Sequence, residues 1–129
     1  RLGGCRPGEA KITTAGRLPA RYVIHTVGPR YTTDPGGAPV VLAAAYRNSL
    51  AVAEAHACAS IAFPSISTGV FGYPVAEAAA VALQTVGDYL LHAERREGTL
   101  HEITFVLYDA GTFAAYARAL RQQYPAPEA

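Results

Sequence analysis

The residues best suited to chemistry lie between Ser65 and Pro74, in the run Ser-Ile-Ser-Thr-Gly-Val-Phe-Gly-Tyr-Pro. The hydroxyls of Ser67 and Thr68 and the N–H groups of a glycine-rich turn are donors suited to phosphate oxygens, with Gly69 and Gly72 allowing sharp turning and close approach. Pro74 stands where a helix tolerates its first residue, because the missing N–H would be unpaired there. A short apolar run precedes the turn, so the unit is predicted as strand, loop and helix, with a site suited to a diphosphate. Phe71, flanked by glycines, is hard to bury locally and suits a lid over a sugar or diphosphate. The plainer alternative is a tight strand-to-helix turn whose glycines only permit the backbone path.

Other motifs narrow the chemistry. Gly69-Val-Phe-Gly72 is neither G-x-G-x-x-G nor G-x-x-x-x-G-K-[ST], so neither a dinucleotide fingerprint nor a P-loop is supported. Ser65-Ile-Ser67-Thr-Gly69 partly resembles a nucleophile elbow, but Ser65 replaces its first glycine and no histidine follows Asp109. His25 falls within a strand, His56 and His92 near helix ends, and His101 before a strand. Tyr108 and Phe113 suit either stacking on a base or ordinary packing. Cys5 and Cys58 lack metal-ligand spacing and are too few for a disulfide framework, so no metal site is expected.

The elements that must position these groups alternate. Lys11–Thr14 predicts a short edge strand, and Tyr22–Val27 a buried strand closed by Gly28-Pro29. Helical spacing of Leu42, Tyr46, Ser49, Leu50 and Ala53 predicts a helix from Val40 to about Ala57, leaving Arg47, Asn48 and Glu54 on its other faces. Ser60–Ile66 is the next strand, and Pro74 to about Glu94 the next helix. Glu94 to Thr99 reads as a solvated helix end and turn. Glu102–Tyr108 is a strand, followed by a last helix capped by Asp109 or Thr112, with a frayed tail from Pro125. Alternation of this kind predicts a three-layered α/β domain with parallel strands, and one crevice lined by Gly28-Pro29, Ser67–Tyr73 and Tyr108-Asp109.

The chain has 129 residues, half of them apolar, which suits one domain with an ordinary core. Eleven basic and ten acidic side chains leave a net charge of +1, so no broad field favours nucleic acid or an anionic membrane. No apolar run approaches the roughly 20 residues that span a bilayer, and no leader pattern opens the chain. The expectation is a soluble, cytoplasmic protein. The glycine-rich opening, Arg1-Leu-Gly-Gly-Cys-Arg-Pro-Gly, reads like the middle of a loop, with further residues expected before Arg1.

Four segments together resemble the macrodomain family, and within it the MacroD-type class: Leu2 to Thr13, Leu18 to Pro29, Tyr46 to Leu50 and Ile61 to Pro74. The resemblance implies a three-layer α/β/α sandwich on a mixed, largely parallel sheet. It implies ADP-ribose binding by Ser67, Thr68, Gly69, Val70, Phe71, Gly72 and Tyr108, with Phe71 over the distal ribose and the Tyr108 ring against adenine. The implied reaction is hydrolysis of mono-ADP-ribose from acidic residues of modified proteins, or of O-acetyl-ADP-ribose, without metal or cofactor, by a monomeric enzyme. A non-catalytic reader of ADP-ribosylated proteins is the alternative. Family members carry an acidic adenine-reading residue and an Asn- and Gly-rich loop before the point where this chain begins. Asn48 is the only asparagine here, so the catalytic groups are expected upstream of Arg1, together with strands whose lack would leave unpaired sheet edges.

Overall fold

The computed structural model describes residues 4–95 and 98–125, apart from the side chains of residues 93–95. Its elements in order are β1 (Ala10–Thr14), β2 (Tyr22–Thr26), α1 (Ala38–Ala55), β3 (Ser60–Phe63), α2 (Val75–Arg95), β4 (Glu102–Phe105) and α3 (Ala110–Gln123). Every predicted element is present; β1 begins one residue earlier than predicted, and the other three strands end sooner. β3 stops at Phe63, ahead of Pro64, which has no N–H to contribute to a ladder. β4 stops at Phe105, with Val106 N–H making a closing bond to Phe63 O at 2.8 Å. No described helix is long and apolar enough to cross a membrane. The expected frayed tail falls almost wholly outside the described residues, as does the middle of the charged segment from Glu94 to Thr99.

The α/β class stands, while the single sheet predicted from alternation is divided in two. β1 and β2 pair antiparallel, with Lys11 opposite His25 and Thr13 opposite Val23. The link over residues 15–21 is too short for the crossover that a parallel pair needs. β3 and β4 pair parallel, Ser60 opposite Glu102 and Phe63 opposite Phe105, with α2 in the crossover. Among the described residues no ladder joins β2 to β3.

Side-chain alternation sets the faces of the β3–β4 pair. Ile61, Phe63, Ile103 and Phe105 turn toward the helices, whereas Ser60, Ala62, Glu102 and Thr104 are exposed. The described helices thus form one layer against this pair. Leu42, Tyr46 and Leu50 of α1, Ala78, Ala79 and Ala82 of α2, and Tyr116 and Ala119 of α3 share a core with Phe63. Small residues on α2 let it lie close to both neighbouring helices.

Tyr46 stands at the centre of that core. Its ring meets Phe63 edge-on at 4.9 Å and Phe105 at 5.9 Å, and Phe105 in turn meets Tyr116 at 5.2 Å. Its hydroxyl donates to Pro64 O at 3.4 Å and accepts from Ile66 N–H at 3.2 Å. Burial, with a further push from Tyr116, drives this phenol far above its ordinary value, so it stays neutral throughout the accessible range.

Glu54, read from sequence as a residue of the outer helix faces, instead fastens the end of α1 to the approach to β4. Its carboxylate accepts from the Thr99 N–H, the Thr99 hydroxyl at 2.7 Å, the Leu100 N–H at 3.0 Å and the Tyr89 hydroxyl at 3.4 Å. Desolvation pushes its pKa up, but these four donors outweigh it and hold the carboxyl below its ordinary 4.5.

Two outcomes follow. Tyr46→Phe keeps the ring contacts but strips the Ile66 N–H of its acceptor, so denaturant unfolding should show a loss of about 1–2 kcal/mol. Glu54→Gln should lower the urea midpoint at pH 7. Because the folded-state pKa is depressed, the contribution is complete above the ordinary value of 4.5 and is lost as pH falls through the lower folded value. The gap between wild type and variant should therefore narrow steadily in unfolding curves recorded at successively lower pH below 4.5.

Candidate functional site

The loop that joins β3 to α2 is anchored from beneath. Tyr46 holds its first residues at Pro64 and Ile66, and the Ser65 and Tyr116 hydroxyls meet at 2.7 Å. Thr68 turns inward, its hydroxyl 2.9 Å from Ser65 Oγ and 3.2 Å from Ser65 O. That hydroxyl, expected to donate to a ligand, donates within the loop. The far end closes with Gly72 N–H to Gly69 O and Tyr73 N–H to Ser67 O, both at 3.0 Å.

Between these anchors lies a row of open donors. Among the described residues, none of the N–H groups of Ser67, Thr68, Gly69, Val70 and Phe71 finds a protein acceptor. Val70 is fully exposed, and a Cβ on Gly69 would meet nothing within 4 Å, so the row is open to approach. It leads directly into the N-terminus of α2, whose dipole favours an anion. The sharp turning falls at Gly72 (φ 75°), as expected, and at Ser67 (φ 68°) in place of Gly69, which does not take the left-handed conformation. For Ser67 that conformation is strained, the kind of backbone feature that clusters at ligand sites.

Three side chains complete the surroundings. Ser67 Oγ is buried and has no hydrogen-bond partner. Phe71 is half-buried; its carbonyl accepts from Tyr31 N–H at 3.0 Å, and the Arg30 guanidinium lies 5.0 Å from its ring centroid. Arg30 brings a positive charge to the loop and was missed from sequence; its position directly after Gly28-Pro29 is the one signal that could have found it. Tyr73 packs on Tyr31 at 4.9 Å, and burial, then Glu77 and Tyr31, raise its pKa.

Gly28, at the end of β2, touches this loop. A Cβ there would fall inside the van der Waals envelope of Ser67 Oγ and Ile66 Cγ2, so only glycine lets the two strand ends approach. Gly28, Ser67 and Phe71 line one cavity of about 1310 Å³. Tyr108 lies elsewhere: it is 89% exposed beyond β4 and does not line this cavity, and Phe113 is exposed on α3.

The remaining candidates resolve into structural roles. Asp109 caps α3, accepting from Thr112 N–H at 2.8 Å and from its hydroxyl at 3.0 Å, which hold its carboxyl below the usual range. His25 is exposed, with Nε2 3.0 Å from Thr13 Oγ1 across the hairpin. His56, His92 and His101 bond nearby carbonyls, so no described histidine serves Ser67 as a base. Cys5 and Cys58 are free thiols, and no described cluster of three ligating side chains could hold a metal ion.

Comparison with known proteins places the chain among relatives of the same fold. The chain is 46% identical over 127 residues to the O-acetyl-ADP-ribose deacetylase of Cronobacter sakazakii, covering 98% of this chain and 68% of that protein. Two solved structures superpose closely. The Oceanobacillus iheyensis macrodomain with ADP gives a TM-score of 0.83 at 40% identity, over 92% of this chain and 60% of that one. The Trypanosoma brucei macrodomain in complex with ADP-ribose gives 0.80 at 34% identity, over 92% of this chain and 48% of that one. This chain thus spans about two thirds of the length of the curated relative and less of the solved ones. The macro domain family model matches residues 1–82, and with these likenesses the chain belongs to the macro domain family.

Proposed function

We propose that this chain binds ADP-ribose, with the diphosphate on the N–H groups of Ser67 to Phe71. The observation that carries the reading is that row of five donors without acceptors, leading into a helix N-terminus beside Arg30. A diphosphate supplies acceptors enough for all five, whereas a single carboxylate does not. Phe71, with Arg30 behind it, would close over the distal ribose, and Tyr108 would receive the adenine from outside the cavity.

The activity proposed for the protein is hydrolysis of the ester of O-acetyl-ADP-ribose and of mono-ADP-ribose on acidic side chains, in the cytoplasm, by a monomer without metal. The support is the named activity of the Cronobacter relative together with the anion cradle. Bending the diphosphate on fixed N–H donors would position the ribose ester and a water held by the ligand's phosphate, with the preorganised donors lowering the barrier. The alternative is a non-catalytic reader of ADP-ribosylated proteins, which would use the same row of N–H donors.

Calorimetry should give ADP-ribose at least tenfold tighter binding than AMP, which lacks the second phosphate; equal affinities would remove the diphosphate assignment. Gly28→Ala should weaken ADP-ribose about tenfold or more by displacing Ser67, while circular dichroism reports a retained fold. Release of acetate from O-acetyl-ADP-ribose, followed by chromatography, separates the two activities: turnover supports the hydrolase, and tight binding with no turnover on prolonged incubation supports the reader.

A further inference from the structure

Phe71 has little of the support that usually fixes an aromatic ring. It is half-buried and lines the cavity beside Ser67, yet it is not among the side chains that form the hydrophobic core or pack against it. Among the described residues no other ring stacks on it. Its own loop gives it nothing to lean on, since Val70 is fully exposed and a Cβ on Gly69 would meet nothing within 4 Å. A ring so placed stays where it is only if another segment holds it.

The segment after β2 supplies that hold. The guanidinium carbon of Arg30 lies 5.0 Å from the centroid of the Phe71 ring. The backbone that carries Arg30 is fixed on both sides. Gly28 lies against Ser67 and Ile66, Pro29 is buried, and Arg30 O accepts from the N–H groups of Thr33 at 3.2 Å and Asp34 at 3.3 Å. Tyr31 N–H then donates to Phe71 O at 3.0 Å, and the Tyr31 ring packs at 4.9 Å on Tyr73, a core side chain. The main chain of Phe71 is thus tied by Tyr31 while its ring meets Arg30. Among the described residues no carboxylate forms an ion pair with Arg30, so nothing draws the guanidinium off the ring. Arg30 does not line the cavity, so it acts through Phe71 and not by touching what the cavity holds.

Two features of the loop therefore have separate supports. The N–H row from Ser67 to Phe71 is set by the bonds from Tyr46 and Tyr116 beneath the loop and by the closing bonds at Gly72 and Tyr73. The Phe71 ring is set by Arg30. We propose that Arg30 is the positioning residue that holds Phe71 over the distal ribose, and that it thereby sets the preference of this site for ADP-ribose over ADP, which ends at the diphosphate. A guanidinium over a ring at an exposed site changes an equilibrium constant about two- to fivefold, and that is the share of the preference Arg30 contributes. The inference rests on the ADP-ribose reading given above, with Phe71 over the second ribose.

The test is calorimetry of ADP and of ADP-ribose on the 129-residue chain and on its Arg30→Gln and Arg30→Lys variants, with circular dichroism reporting the fold. Wild type should favour ADP-ribose. Arg30→Gln should lower the ratio of the two affinities about two- to fivefold, and Arg30→Lys, which keeps a cation for the ring, should retain more of it. An unchanged ratio in Arg30→Gln overturns the role of Arg30 and leaves the ADP-ribose reading standing. Equal weakening of both ligands does the same, because the charge would then be acting on the diphosphate. A lysine variant no better than the glutamine one also overturns it, since the cation would not be what holds the ring. Absence of any preference in the wild type overturns both the role of Arg30 and the placing of the second ribose under Phe71.

Discussion

The buried phenol of Tyr46 is the contact on which the rest of the structure most depends. Its ring fills the space between α1 and the paired strands β3 and β4, touching Phe63 and Phe105. Its hydroxyl serves the backbone on both sides of Ser65, at Pro64 O and Ile66 N–H. One side chain therefore belongs to the apolar core and also sets the height at which the next loop leaves the sheet. A group so placed is sensitive to any loss, because a buried donor without an acceptor costs the desolvation of the orphan.

The loop above it shows how a polypeptide keeps donors free. Ser65, Thr68 and Tyr116 consume one another's hydroxyls beneath the loop, while the N–H groups from Ser67 to Phe71 are left without a protein acceptor. The strained Ser67 and the left-handed Gly72 bracket that row. For the anion binding proposed here, backbone donors have a physical advantage, since they are held by the fold and need little ordering when a ligand arrives. Charge is added sparingly, by Arg30 behind Phe71, in keeping with a chain whose net charge is only +1.

The divided sheet explains why the cavity is large and why its walls nonetheless stay together. Glu54 ties α1 to the approach to β4, Arg21 ties the start of β2 to the turn after α1, and Gly28 meets Ser67. These contacts hold the margins of a gap that no hydrogen-bond ladder crosses among the described residues. Ser67 and Phe71 line the same gap, so the order of the sheet and the shape of the loop between β3 and α2 are physically coupled.

Much of this was legible in the residues. Periodicity placed all three helices and all four strands, and the Ser65–Pro74 run marked a glycine-rich turn between strand and helix, because helical and strand spacing and glycine-rich turns are local properties. Strand ends were less legible, since Pro64 stops β3 through a backbone bond that must be missing and not through any change of hydrophobicity. What only the tertiary structure decided were the relations between distant residues: Glu54 with Thr99, Arg30 with Phe71, Gly28 with Ser67, and the inward turn of Thr68. The antiparallel hairpin, the split between β2 and β3 and the outlying position of Tyr108 belong with them. Local sequence determines which backbone conformations are cheap, whereas the partner of a donor or a strand edge depends on segments brought close by packing the whole core.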